Sequence, residues 1–341
     1  MLPETLRRSP PAGAAVLCGA LLLLQGCGLG YLTQAASGQL RVLRARQPID
    51  ALIAGPHTEA SLRAQLQQLK RIRDFASQQL GLPDNASYRS YADIHARYVV
   101  WNVVATPEFS VQPRQWCFPV AGCVAYRGYF SERAANAFAL TRRAHGDDAM
   151  VSGVAAYSTL GRFADPVLSS MLGYGEEQLA AIVFHELAHQ VAYLPGDSAF
   201  NEAFAVTVEE EGLRRYLAAH DLAGKGMARW QARLAMREQL SAIIESGRES
   251  LQGLYASDLS PPLMRERKRA LLAGIGLQIR MLENRTGLRS GYGDSSLNNA
   301  HLASVATYFA QLPIFAELLA QDENDLPRFY ASVQRIVRSK K

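Results

Sequence analysis

Residues 181–190, Ala181-Ile182-Val183-Phe184-His185-Glu186-Leu187-Ala188-His189-Gln190, decide how this chain is read. Leu179, Ile182, Val183, Leu187 and Ala188 recur at helical spacing, so the stretch predicts an amphipathic helix with a rigid, buried face. His185 and His189 are four residues apart. On a helix they lie on one face, one turn apart, and both imidazoles can reach a single ion. Glu186 sits beside that face, where its carboxylate can take a proton from an activated water. The chemistry asks for this pattern, His-Glu-x-x-His, on a helix.

A catalytic zinc takes three protein ligands and keeps one position open. The next segment offers the third: Phe200-Asn201-Glu202-Ala203-Phe204-Ala205. Pro195-Gly196-Asp197-Ser198 marks a sharp turn, after which a second helix can fold antiparallel on the first and present Glu202 to His185 and His189. A third histidine in place of Glu202 is disfavoured, because position 195 is Pro and the nearest later histidine is His220. Glu209 falls seven residues after Glu202 on the same helix face and is a candidate partner for a ligating histidine. The neighbouring Glu210 and Glu211 extend a run that also suits a solvated face.

Outward from this pair, the chain divides by texture. Thr58 to Leu80 reads as an amphipathic helix stopped by Gly81. Tyr98 to Val104, Val124 to Phe130 and Val154 to Ser158 read as short strands, with an alanine-rich helix from Ser131 to His145 crossing between the last two. Beyond Asp165-Pro166 helices are expected at 166–172, 176–193, 199–219, 226–251, 262–285, 297–321 and 325–338. The fold class expected is α+β and predominantly α-helical: a zincin-like small sheet followed by a helix bundle that carries the His-Glu-x-x-His helix. The expected parts are 28–90 (helical), 91–160 (sheet) and 161–341 (helical), within one peptidase domain over 27–341.

The amino terminus reads differently. Arg7 and Arg8 precede a run of about 13 mostly apolar residues, Ala12 to Leu24, which suits an export signal and is short of the roughly 20 residues of a membrane span. Leu24-Gln25-Gly26-Cys27 resembles the lipobox of bacterial lipoproteins, which implies a signal over 1–26, lipidation of Cys27 and anchoring by acyl chains. Gly28 in the second mature position implies the outer membrane, with the protein facing the periplasm. No later segment reads as long and apolar enough to span a membrane. Cys117 and Cys123 then remain as a pair, and an oxidising compartment favours a disulfide between them over a two-cysteine metal site.

The chain has 341 residues, 48% of them hydrophobic and 20% charged, which excludes a disordered or low-complexity chain. Its formal net charge of +5 comes from 36 basic and 31 acidic residues lying interspersed, so no nucleic-acid partner is expected.

HELAHQ followed by FNEAFA is similar to the gluzincin arrangement. With the lipobox, the segments Cys117-Phe118-Pro119-Val120-Ala121-Gly122-Cys123, Tyr126-Arg127-Gly128-Tyr129-Phe130, Tyr157-Ser158-Thr159-Leu160-Gly161 and Leu297-Asn298-Asn299-Ala300 resemble the zinc aminopeptidase family of proteobacterial lipoproteins. The resemblance runs from about Gly28 to near the C-terminus. The short spacing between His189 and Glu202 departs from thermolysin-like patterns, so accessory residues do not carry over.

The resemblance implies one Zn2+ ion on His185, His189 and Glu202, Glu186 as general base, and a peptide or protein substrate. An oxyanion donor is also needed; Tyr292, in the Gly291-Tyr292-Gly293-Asp294 loop, and His301 are the candidates. Glu108, Glu132 and Glu209 are the candidates for holding a substrate amine. The segment Ala156-Tyr157-Ser158 could pair with an extended substrate. A zinc endopeptidase of the envelope shares every motif, and a non-enzymatic envelope lipoprotein is the remaining alternative.

Overall fold

The computed structural model describes residues 28–118, 122–220, 224–293, 296–309 and 311–340. The signal segment, Cys27 and residues 119–121 lie outside the described residues. The protein is α+β and predominantly helical.

Helix α1 (Gly28–Arg44) leads into β1 (Arg46–Pro48), α2 (Ile49–Ala54), α3 (Ala60–Gln78) and β2 (Ser90–Ala92). Then come β3 (Val100–Pro107), β4 (Trp116–Phe118), β5 (Gly122–Val124), β6 (Arg127–Tyr129), α4 (Glu132–Ala144) and β7 (Asp147–Val154). The central sheet has the order β6-β3-β7, with β3 antiparallel to both neighbours. Because β6 and β7 flank β3 in the same direction, α4 must cross over the sheet between them. Val103, Ala105, Ala149, Ala135 and Ala139 form the apolar layer under that crossover. The alanines of α4 let the helix approach the pleat closely.

Two expected strands shift. Val154 to Ser158 is not a strand; β7 ends at Val154 and begins at Asp147, because its eight residues pair with Val100–Pro107. Val124 to Phe130 is two strands, β5 and β6, parted at Ala125-Tyr126. The expected helix 166–172 is in part the strand β8 (Val167–Leu168), followed by a single turn, α5 (Ser169–Leu172). Val167 and Leu168 pair in parallel with Tyr91 and Ala92 of β2, so a tertiary partner overrides the local helical pattern.

The remaining elements are α6 (Glu176–Val191), α7 (Ser198–Ala219), α8 (Lys225–Tyr255), α9 (Pro261–Thr286), α10 (Asn299–Phe309), α11 (Leu312–Gln321) and α12 (Leu326–Ser339). The helix expected over 297–321 is described as α10 and α11, with Pro313 in the first turn of α11. By length and composition, Asn299–Gln321 could cross a membrane, at mean hydropathy 1.4 over its most apolar window, contrary to the expectation that no later segment would. Within the protein part of this stretch is buried, while Ile314 stays exposed. Ala300 and Ala303 cover the second face of the central sheet with Val104 and Met150. Leu302 and Val305 pack into the α8–α9 hairpin, and Phe315 and Leu319 into the main core.

That main core gathers α3, α6, α7 and α12. Leu66, Leu69 and Ile72 of α3 are fully buried with Phe184, Leu187, Phe204, Tyr216 and Phe329. One cation is sunk in it. The Arg73 guanidinium is 1% exposed and donates to the carbonyls of Ser87 (2.8 Å), Pro83 (2.7 Å) and Asn85 (3.1 Å), and to the Ser77 hydroxyl. It fastens the chain leaving α3 to the helix that supports α6. Arg73→Ala removes the Arg73 donor from the buried Ser87 carbonyl and the half-buried Pro83 carbonyl, and should lower unfolding stability by roughly 3 kcal/mol. Urea titration checks this; a loss under about 1 kcal/mol would show the loop is held by its backbone alone.

Candidate metal centre

Helices α6 and α7 form an antiparallel pair, and the turn between them is built from side chains. The buried Asn201 amide accepts from the Leu194 N–H (2.7 Å) and donates to the Leu194 carbonyl (2.8 Å). Asp197 caps α7 by accepting from the Phe200 N–H at 2.9 Å. Gly196 takes φ 87°, which glycine adopts without steric cost. The hairpin of β4 and β5, closed by the Cys117–Cys123 disulfide, packs on this turn. A Cβ on Gly122 would come within 2.5 Å of the Gly196 nitrogen, so only glycine permits the approach.

The pairing sets Glu202 against the two histidines. Glu202 Oε2 lies 3.3 Å from His185 Nε2 and 4.0 Å from His189 Nε2, and the two imidazoles meet edge to face at 4.9 Å. One candidate ligand atom from each of His185, His189 and Glu202 falls within 4.8 Å of the others, the spacing at which one ion can bind all three. Two imidazoles and a carboxylate suit a divalent transition metal. His189 Nδ1 is buried with no hydrogen-bond partner among the described residues, so a polar atom is left uncompensated here. The residues fit a metal.

Electrostatics follow from burial and these neighbours. Burial pulls the His189 imidazole down to about 4, keeping it neutral, the form that ligates. Burial also opposes charge on His185, but Glu202 and Glu209 on either side outweigh it and raise His185 above its ordinary value. Burial lifts the Glu186 carboxyl to about 7, with the His185 charge pulling the other way. That is the range in which a carboxyl can both accept and return a proton.

Glu209 lies behind His185: its Oε2 is 3.0 Å from His185 Nδ1. The carboxylate therefore fixes the ring's orientation and leaves Nε2 facing Glu202. Glu209→Ala should weaken metal binding by about 10–100-fold. Competition with a chromophoric chelator reads this directly, and unchanged affinity would make Glu209 a bystander.

All five groups border one cavity of about 860 Å³. Tyr126 and Tyr193 also line it, and both feel Glu202; burial first, then that carboxylate, push their phenols above the ordinary value. Each therefore stays protonated and able to donate. The sequence reading overlooked them as donors, although Tyr126 stands in the quoted YRGYF segment. The cue was its place immediately before β6, which aims it at the cavity.

Tyr292 and His301, expected as oxyanion donors, are not brought to the metal centre. They meet each other at 6.4 Å, and Tyr292 packs against the apolar cluster of α8, α9 and α10. Glu108 and Glu132 are also absent from the cavity lining: Glu108 pairs with Arg265 at 2.6 Å, and Glu132 sits in the exposed first turn of α4. Of the three candidate amine partners only Glu209 borders the cavity. Ala156, Tyr157 and Ser158 line it without belonging to a strand.

A family model described as "Putative aminopeptidase" matches residues 30–341. No curated protein and no solved structure matches the chain.

Proposed function

The chain belongs to the family described as "Putative aminopeptidase", and from that premise we propose that it is a zinc-dependent peptide-bond hydrolase, an aminopeptidase of the cell envelope. The observation that carries the reading is the convergence of His185, His189 and Glu202 beside the half-buried Glu186 on one cavity. Zinc bound by these three side chains would supply Lewis acidity, polarising a scissile carbonyl and acidifying a water.

The remaining steps belong to the protein's own groups. Glu186 takes the proton from the attacking water and returns it to the leaving amine. Glu209 holds His185 through Nδ1 so that Nε2 keeps its direction. Tyr126 and Tyr193, both protonated, can donate to the oxygen on which negative charge develops.

The test uses two substrates and a metal assay. Aminoacyl arylamides with a free amine should be cleaved, and an N-blocked, internally quenched peptide should not. The purified protein should carry close to one zinc ion per chain. Cleavage of the blocked peptide alone would establish the endopeptidase alternative, and absence of zinc would remove the mechanism.

Envelope location is part of the proposal and is supported by Leu24-Gln25-Gly26-Cys27 behind an apolar run. It makes 27–341 the mature enzyme, tethered to the outer membrane on its periplasmic side. Cells fed a labelled fatty acid should label the wild-type protein and not Cys27→Ala. Equal labelling of both would move the anchor elsewhere.

A further inference from the structure

The far wall of the cavity is a helix that carries none of the proposed chemistry. Tyr31, Ala35 and Gln39 of α1 follow one another at i, i+4 and i+8, so they share the face that lines the cavity, with Ala36 at its edge. Four attachments hold that face in place. Tyr31 stacks on Phe118 at 5.4 Å, with the Arg127 guanidinium 4.1 Å from its ring. The Gln34 amide accepts from the Phe130 N–H (3.1 Å) and donates to the Gly128 carbonyl (3.4 Å), joining α1 to the edge strand β6. Gly38 lies directly on Phe130: a Cβ there would fall 2.1 Å from the ring. Gln39 accepts from the Tyr157 hydroxyl.

Between these attachments stand the two smallest side chains of the wall, Ala35 and Ala36. Phe118, Val124, Phe130 and Val154 line the same cavity, so apolar side chains are grouped near α1 beside polar ones such as Asn102 and Tyr126. Carboxyl groups are the main ionisable side chains around the cavity, beside His185 and His189. Glu186, Glu202 and Glu209 border it, and among the described residues no Lys or Arg does. Such a cavity attracts an ammonium group and offers a C-terminal carboxylate no bidentate partner.

We propose that the recess beneath α1 selects peptides with a free, cationic amino terminus and a large apolar first side chain, and that Ala35 and Ala36 set its depth. This rests on the aminopeptidase reading and adds the substrate class to it. A phenylalanyl side chain buries its ring against Phe118 and Phe130, whereas an alanyl one leaves the recess unfilled. Since one methylene in an apolar pocket can already discriminate tenfold or more, phenylalanine over alanine should reach at least about 30-fold. Bulk introduced at Ala35 or Ala36 occupies the same volume and removes the preference.

Binding without turnover separates this inference from the proposed reaction. Zinc-loaded Glu186→Gln protein is titrated calorimetrically with the amides of Phe-Ala-Ala, Ala-Ala-Ala and Glu-Ala-Ala, and with N-acetyl-Phe-Ala-Ala amide. The phenylalanyl peptide should bind at least about 30-fold tighter than the alanyl one, and the glutamyl peptide should bind weakest. Acetylation should cost about tenfold through loss of the ammonium. Adding Ala35→Phe should bring the phenylalanyl-to-alanyl ratio to within about threefold of unity. Ala36→Phe, at an exposed position of the same wall, should lower the same ratio and guards against a misfolded first variant.

Equal binding of the phenylalanyl and alanyl peptides, or a ratio unmoved by both substitutions, would overturn the proposal. So would preference for the glutamyl or acetylated peptide. Arylamide turnover by the wild-type protein reports on the reaction instead. Selective binding with no cleavage refutes the hydrolase and leaves the recess; cleavage with no selectivity does the reverse.

Discussion

Glu186→Gln is expected to lower kcat for a cleaved arylamide by at least about 10³-fold while leaving zinc bound. The substitution keeps the size of the side chain and removes its basicity. General base catalysis by a positioned group is worth about 10²–10⁴, and Glu186 would serve twice, as base and then as acid. Its environment argues for that duty. Burial raises the carboxyl to about 7, so it is neither a permanently charged structural anion nor part of an ion pair with a Lys or Arg. Glutamine cannot accept the proton from water, so kcat and kcat/KM should fall together with KM little changed. Zinc stoichiometry should stay near one, because the proposed ligands are His185, His189 and Glu202, not Glu186. A variant that hydrolyses at the wild-type rate would end the mechanism.

The second large effect concerns Glu202. As a metal ligand it couples the ion to folding: a species that binds only the folded chain stabilises it by about 4 kcal/mol when free metal is 1,000 times Kd. Wild-type protein should therefore melt several degrees lower after chelation and recover on adding zinc. Glu202→Gln should bind zinc at least about 100-fold more weakly and lose most of that response. The apo proteins supply the control. Glu202 also lies 3.3 Å from His185 Nε2, so the variant lowers the apo baseline as well. The informative quantity is the zinc-dependent shift within each protein. If Glu202 only stabilised its histidine neighbours, both proteins would shift equally, or neither would.

Much of this was legible in residues 181–202. His185 and His189 need only helical periodicity to share a face, and Ala181 to Ala188 supplies it. The antiparallel return of α7 follows from Pro195-Gly196-Asp197, and the Asn201 amide that clamps Leu194 stands next to the ligand in sequence. The Cys117–Cys123 bridge followed from spacing and the expected compartment, and it is present. These features are local: each depends on residues within a few turns of one another.

The misplacements were all long-range. Val167-Leu168 looked helical until Tyr91-Ala92 offered a strand to join. The third sheet strand slid back to Asp147–Val154 because its register answers to Val100–Pro107, forty or more residues earlier. Tyr292 and His301 had the right chemistry for a donor, but nothing in a flexible-looking Gly-Tyr-Gly segment says which end of the molecule it reaches. The donors that do border the cavity, Tyr126 and Tyr193, come from a strand approach and a helix exit whose meeting is set by packing.

The sequence by itself determined the candidate ligand set, the helix pair that carries it and the candidate general base, because helix periodicity and one tight turn fix those relations through the backbone. Only the tertiary structure decided what surrounds the metal centre. The N-terminal helix with Ala35 and Ala36, the sheet edge and the disulfide hairpin converge on it from segments up to about 150 residues away. Burial of apolar surface drives that convergence without regard to sequence distance, so no local pattern records it.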